Sequence, residues 1–113
     1  MEELFNRISG LMAQGEQIPL TNGNVYTYLN TTTTRINGEL FPFVFQYRIS
    51  GTQTKCVTVN LIRSMYQHHL NHGEIPSRSE MFDLFPRELC SRPCNYTVAV
   101  YIVNRLLNDD NNQ

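Results

Sequence analysis

Arg92, Asn95, Tyr96 and Thr97 form the densest group of side chains in this chain suited to reading a nucleobase. A guanidinium forks to guanine, a carboxamide pairs with adenine, and the threonine methyl packs on that of thymine. Tyr101, Asn104, Arg105 and Asn108 continue from Thr97 along one stripe of a helix. Upstream, Ser77 and Arg78 suit a phosphate, through backbone N–H groups and a guanidinium. Each group also has a plainer use: Ser77 as a helix cap beside a solvated Arg78, and Asn95 as a cap with Tyr96 packed on the domain. A separate set, His68, His69, His72, Cys90 and Cys94, has the residue types of a zinc site. His68 and His72 share a helical face, but three residues separate Cys90 from Cys94 where zinc sites more often have two. A Cys–His nucleophile pair finds no Asn or Asp to orient it and no oxyanion feature. With no glycine-rich phosphate loop and no convincing carboxylate pair, the expectation is a protein that is not an enzyme and needs no metal or cofactor.

These side chains must be positioned by helices. Apolar spacing predicts one near Val57 to His72, stopped by Gly73, the residue most at ease just past a helix end. Ser77 and Glu80 form a capping box that opens a second helix, Arg78 to about Phe85, which Pro86 cannot continue. After the connector Pro86–Pro93, a third helix runs near Asn95 to Leu107, with Val98, Ala99, Ile102, Val103 and Leu106 on its apolar face. Three helices with a short one in the middle outline a helix-turn-helix. Leu61-Ile62-Arg63, Gly73, Pro76-Ser77-Arg78-Ser79-Glu80, and Thr97-Val98 with Ile102 and Leu106 resemble the N-terminal DNA-binding domain of LexA-type repressors. The resemblance covers roughly Val57 to Leu107. It implies a (winged) helix-turn-helix on double-stranded DNA, with Ser77 and Arg78 on phosphate and Arg92, Asn95, Tyr96, Thr97, Tyr101 and Arg105 toward the groove. The connector is longer than the family's turn, and nothing after Leu107 supplies a wing.

In the N-terminal half, Leu4, Phe5, Ile8, Leu11 and Met12 predict an amphipathic helix from Glu3 to about Gln14. Thr21–Asn24 is turn chemistry. Val25 to Ile49 reads as a β-hairpin turning at Asn37-Gly38, which places Ile36 opposite Glu39 and Tyr28 opposite Tyr47. Tyr26, Tyr28, Asn30 and Thr32 then share a face with Phe41, Phe43, Phe45, Tyr47 and Ile49, expected as core rather than as a stacking platform. Pro42 cannot donate to a ladder, so its strand has a free side or a bulge there. A short strand is allowed for at Cys56–Thr58.

A chain of 113 residues with 41% hydrophobic and 11% aromatic content is expected to form one globular domain. The expected fold is α+β: a helix and antiparallel hairpin over 1–54, packed on a three-helix unit over 55–108, with a disordered tail at 109–113. No apolar run is long enough to span a membrane and no signal peptide is expected. Three cysteines, an odd number, suit a reducing, cytoplasmic setting. The net charge of −1 opposes DNA binding, which draws on cations that displace counterions. Two functions stay open. One is a small DNA-binding transcriptional regulator, dimeric by default for helix-turn-helix proteins; the other is a phage or mobile-element module, inhibitor or accessory, that binds a protein. They separate on whether Arg78, Arg92 and Arg105 converge on one surface free of carboxylates.

Overall fold

A computed structural model of the protein describes the backbone of residues 2–20, 23, 25–36, 38–50, 53–90 and 94–112, and all their side chains except those of 2, 34, 36 and 41–43. The fold is α+β. In chain order the elements are α1 (Glu2–Leu11), β1 (Gln17–Pro19), β2 (Val25–Ile36), β3 (Glu39–Ser50), β4 (Gln53–Thr58), α2 (Val59–His72), α3 (Arg78–Leu84), α4 (Pro86–Cys90) and α5 (Cys94–Asn111). The strands form one antiparallel sheet in sequence order, β1-β2-β3-β4.

The hairpin keeps the expected register at both ends: Ile36 faces Glu39 and Tyr28 faces Tyr47. Gly38 has φ 84°; Asn37, the other expected turn residue, lies outside the described residues, as do Thr21, Asn22 and Asn24 of the expected earlier turn. Between those ends the register departs from expectation, for Thr31 faces Phe45 and Thr32 faces Val44. β3 carries an extra residue between Phe41 and Val44, where Pro42 lacks a ladder donor, and β2 carries one at Leu29. The two bulges sit on opposite strands and cancel. Asn30 therefore leaves the aromatic face and is exposed, while Tyr28, Phe45 and Tyr47 are buried.

The sheet is also wider than a hairpin. β4 starts earlier than the expected Cys56, and β1 joins β2 through Gly15 and Glu16, which together oppose Tyr28. The Gly15 N–H donates to the Tyr28 carbonyl and the Tyr28 N–H to that of Glu16, each at 2.8 Å. Such a bulge needs a positive φ at its first residue, and Gly15 has 84°.

The helices end where capping chemistry dictates. The Thr58 hydroxyl accepts the Leu61 N–H at 3.3 Å, so α2 starts at Val59 rather than Val57. Gly73, at φ 82°, closes α2 by donating to the His69 carbonyl. Residues 86–90 of the expected connector form α4 instead, since proline fits a first helical position. Its Glu88 is buried and accepts from both the Thr58 N–H and hydroxyl. Nor is the end of the chain a free tail: α5 runs to Asn111. The reason is Arg7, whose guanidinium donates to Asp109 (2.9 Å), to Asp110 (2.6 Å) and to the Leu106 carbonyl. Tyr66 joins by donating to Asp110 at 2.5 Å and accepting from Arg7 at 3.1 Å.

One core draws on every element, including Ile8, Ile18, Tyr28, Phe45, Tyr47, Val57, Ile62, Met65, Met81, Leu89, Ile102 and Leu106. Each such side chain contributes about 1.5–3 kcal/mol on burial. Phe5 stacks on Phe45 with ring centroids 5.5 Å apart, which seats α1 on the sheet. Leu70, in the last turn of α2, stays outside this core and is 58% exposed.

Candidate functional site

The eight side chains singled out from the sequence part company in the fold. Ser77 is committed to its capping box: it accepts the Glu80 N–H at 3.2 Å, and the Glu80 carboxylate takes the Ser77 N–H at 3.3 Å. Two groups that would have gripped a phosphate are thereby occupied. Asn95 is fully buried. Its Oδ1 accepts the Tyr47 hydroxyl at 2.5 Å and its Nδ2 donates to the Glu88 carbonyl at 3.1 Å. It is neither a cap nor a surface contact. Arg105 turns back onto the fold, donating to Glu16 and to the Leu11 carbonyl. Arg92 lies outside the described residues.

The other four come together. Arg78, Tyr96, Thr97 and Tyr101 line a cleft of about 440 Å³ between α5 and the neighbouring ends of β1 and β2. Pro19 and Leu20 form its apolar lip, Tyr26 of β2 lies across from α5, and Val100 and Asn104 complete the α5 wall. None of these lining residues is acidic. The rings are held from behind. The Tyr96 hydroxyl donates to the Pro76 carbonyl at 2.8 Å, and the Tyr101 hydroxyl to Glu16 at 2.6 Å. Tyr26 leans on buried Tyr47, centroids 5.6 Å apart. The Arg78 guanidinium lies over the Tyr96 ring, 4.7 Å from its centroid.

The electrostatics match this division of labour. Burial pushes the phenols of Tyr26 and Tyr101 up, so both remain protonated donors. Burial also pulls Glu16 upward, yet the hydrogen bonds from Tyr101 and the Ala13 N–H, with the charge of Arg105, carry it below the usual carboxylate value. Glu16 stays ionised behind the wall and answers Arg105, not the cleft.

The histidines and cysteines do not assemble. The His68 and His72 rings meet at 4.6 Å, tilted by 44°, and His68 faces the Glu74 carbonyl through Nδ1 (3.1 Å) and Glu80 through Nε2 (3.4 Å). Cys94 lies against the Tyr47 hydroxyl while Cys90 is exposed. Among the described residues no three His, Cys, Asp or Glu side chains are placed to share a metal ion, and no helix is long and apolar enough to cross a membrane.

Two features escaped the sequence. One is the contribution of Pro19, Leu20 and Tyr26 to the cleft. The signal for Tyr26 was its place at the end of the aromatic row, where a ring sinks inward and its hydroxyl stays within reach of solvent. The other is a hollow of about 260 Å³ at the α3–α4 corner, where Leu84, Phe85 and Pro86 meet Asn60 and Glu39. Met81, Phe82 and Leu84 of seven-residue α3, with Phe85 at its C-cap, are too many apolar residues for one stripe. Phe82 and Leu84 accordingly remain 42% and 63% exposed.

Comparison with protein-family models, curated proteins and solved structures finds no match for this chain.

Proposed function

We propose that the protein is a small protein-binding module, of inhibitor or accessory type, that receives a segment of its partner in the cleft between α5 and the β1–β2 ends. The observation that carries this is the composition of the cleft: three tyrosines and an arginine beside apolar Pro19, Leu20 and Val100, with no acidic lining residue. Tyrosine and arginine dominate the energetic centres of protein interfaces, whereas aspartate, glutamate and lysine are depleted there. Pre-fixed rings also lose little freedom on binding. The cations add weight against a polyanion: Arg7 and Arg105 are spent on internal acids, and the net charge is −1. In α5, the expected recognition helix, the exposed positions are Asn104, Asn108 and Asn111.

A second role, duplex DNA binding by a helix-turn-helix, is favoured by one observation. Arg78, Tyr96 and Thr97 do meet where α3 approaches the start of α5. The two are separated by a photocrosslinking side chain placed at Thr97 in the cleft or at exposed Arg48 on the sheet, in expressing cells. The expected result is a protease-sensitive, nuclease-resistant adduct from position 97 alone, whose purified protein binds the module in solution. Nucleic-acid adducts, identical adducts from both positions, or tight binding of random duplex at low salt would overturn the proposal.

A further inference from the structure

We infer that the cleft receives a proline-containing segment of the partner in the polyproline II conformation; this rests on the protein-binding role proposed above. The fold already makes such a contact with its own chain. Tyr96, which lines the cleft, donates its hydroxyl to the Pro76 carbonyl at 2.8 Å. Residues 75–77 lie outside helix and strand, and Ser77 has φ −68° and ψ 164°, in the polyproline II region. A chain in that conformation makes no hydrogen bonds of its own, so its carbonyls are left for side-chain donors to meet.

The cleft offers the same chemistry a second time, unfilled. Half-buried Tyr26 lies across from α5, and its hydroxyl has no hydrogen-bond partner among the described residues. Neither has the hydroxyl of Thr97 nor the carboxamide of Asn104. Acceptors are scarcer: no lining residue is acidic, and the Leu20 carbonyl already takes the Gly23 N–H at 3.2 Å. Most residues bring an N–H with every carbonyl, and each one buried without an acceptor costs about 1–3 kcal/mol. Proline brings the carbonyl without the N–H. Its ring suits an aromatic-lined groove, and its fixed φ lowers the freedom lost on binding. A volume of about 440 Å³ falls in the range of sites that enclose a compact ligand, so only a short stretch is held.

The probe is a displayed random-peptide library selected on the intact protein. Enriched peptides should share a proline beside an apolar residue. In a synthetic consensus peptide, replacing that proline by alanine should weaken binding about tenfold or more, because it restores an N–H and frees the backbone. Tyr26→Phe keeps the ring that leans on Tyr47 and removes only the hydroxyl. It should weaken binding about twofold to tenfold, the worth of one hydrogen bond between neutral groups, with the circular dichroism spectrum unchanged. A library that enriches nothing, a consensus without proline, or a consensus peptide indifferent to Tyr26→Phe would each overturn the inference, as would displacement of the peptide by oligothymidine. A protein adduct at position 97 together with a proline-free consensus would leave the binding role standing and remove only the proline segment.

Discussion

Among the described residues two arginines lie against tyrosine rings, and the two places differ in one respect. Arg7 lies 5.8 Å from the centroid of Tyr66, at the junction of α1, α2 and α5, and two carboxylates of the same chain close on it. Arg78 lies 4.7 Å from the centroid of Tyr96, and no residue lining its cleft is acidic. The first arrangement is complete within the fold. There the Arg7 guanidinium is pushed up, first by the Tyr66 hydrogen bond and then by Asp110 and Asp109, against the pull of burial. The second sets the cation and ring at the edge of an open cleft. At the strut the fold closes the arginine between its own acids, whereas at the cleft the ring and the guanidinium line an open surface.

The sharpest test begins beside the cleft. Asn95→Ala should cost about 3 kcal/mol in denaturant unfolding, because it removes two buried hydrogen bonds, from the Tyr47 hydroxyl and to the Glu88 carbonyl. A cost near zero would return Asn95 to the surface and dissolve the boundary between scaffold and site. Arg7→Ala comes next, at about 2 kcal/mol, since its hydrogen bonds go to charged groups that remain about one-third exposed. The acid limb of stability reads the same strut without mutation. Asp110 is held below its ordinary 3.8 first by the Tyr66 hydrogen bond and then by Arg7, and Glu16 lies below its ordinary 4.5. Carboxylates lowered by folding give stability that is whole above those ordinary values and drains as pH falls through the lowered ones. Unfolding free energy measured by pH titration should therefore be level down to about pH 5 and decline below about pH 4. Asp110→Asn should make that decline shallower. The smallest effect belongs to Arg78→Ala, which should cost no more than about 1 kcal/mol, the value of an exposed cation–ring contact. A loss as large as that of Arg7→Ala would make Arg78 a second strut and erase the contrast.

What the sequence made legible was local. Gly73, the Ser77–Glu80 box and the proline at 86 announce their helix ends because each acts within a turn of itself. The hairpin ends were legible for the same reason. Its middle was not: two cancelling bulges leave the register beyond them unchanged, so neither end betrays them. Asp109 and Asp110 read as a frayed tail because the cation that orders them stands at residue 7. The cleft was half visible. Arg78, Tyr96, Thr97 and Tyr101 were picked out for their chemistry, but their opposite wall, Tyr26 with Pro19 and Leu20, comes from the other half of the chain. Asn95 and Arg105 have the residue types of contacts. Only the packing reveals that Tyr47 and Glu16 already claim them.

The bond between Arg7 and Asp110 bridges a sequence separation of 103 residues. On the ribosome, Arg7 emerges well before Asp110. While the chain is being made, α1 has no acid to hold it and Phe5 and Ile8 wait without their full cover. Closing so long a loop costs little more than closing one of half the length, so the delay is one of timing rather than of energy. A product that stops before the last turn of α5 lacks the clasp on α1 and leaves the apolar face of that helix loosely held and open to proteases.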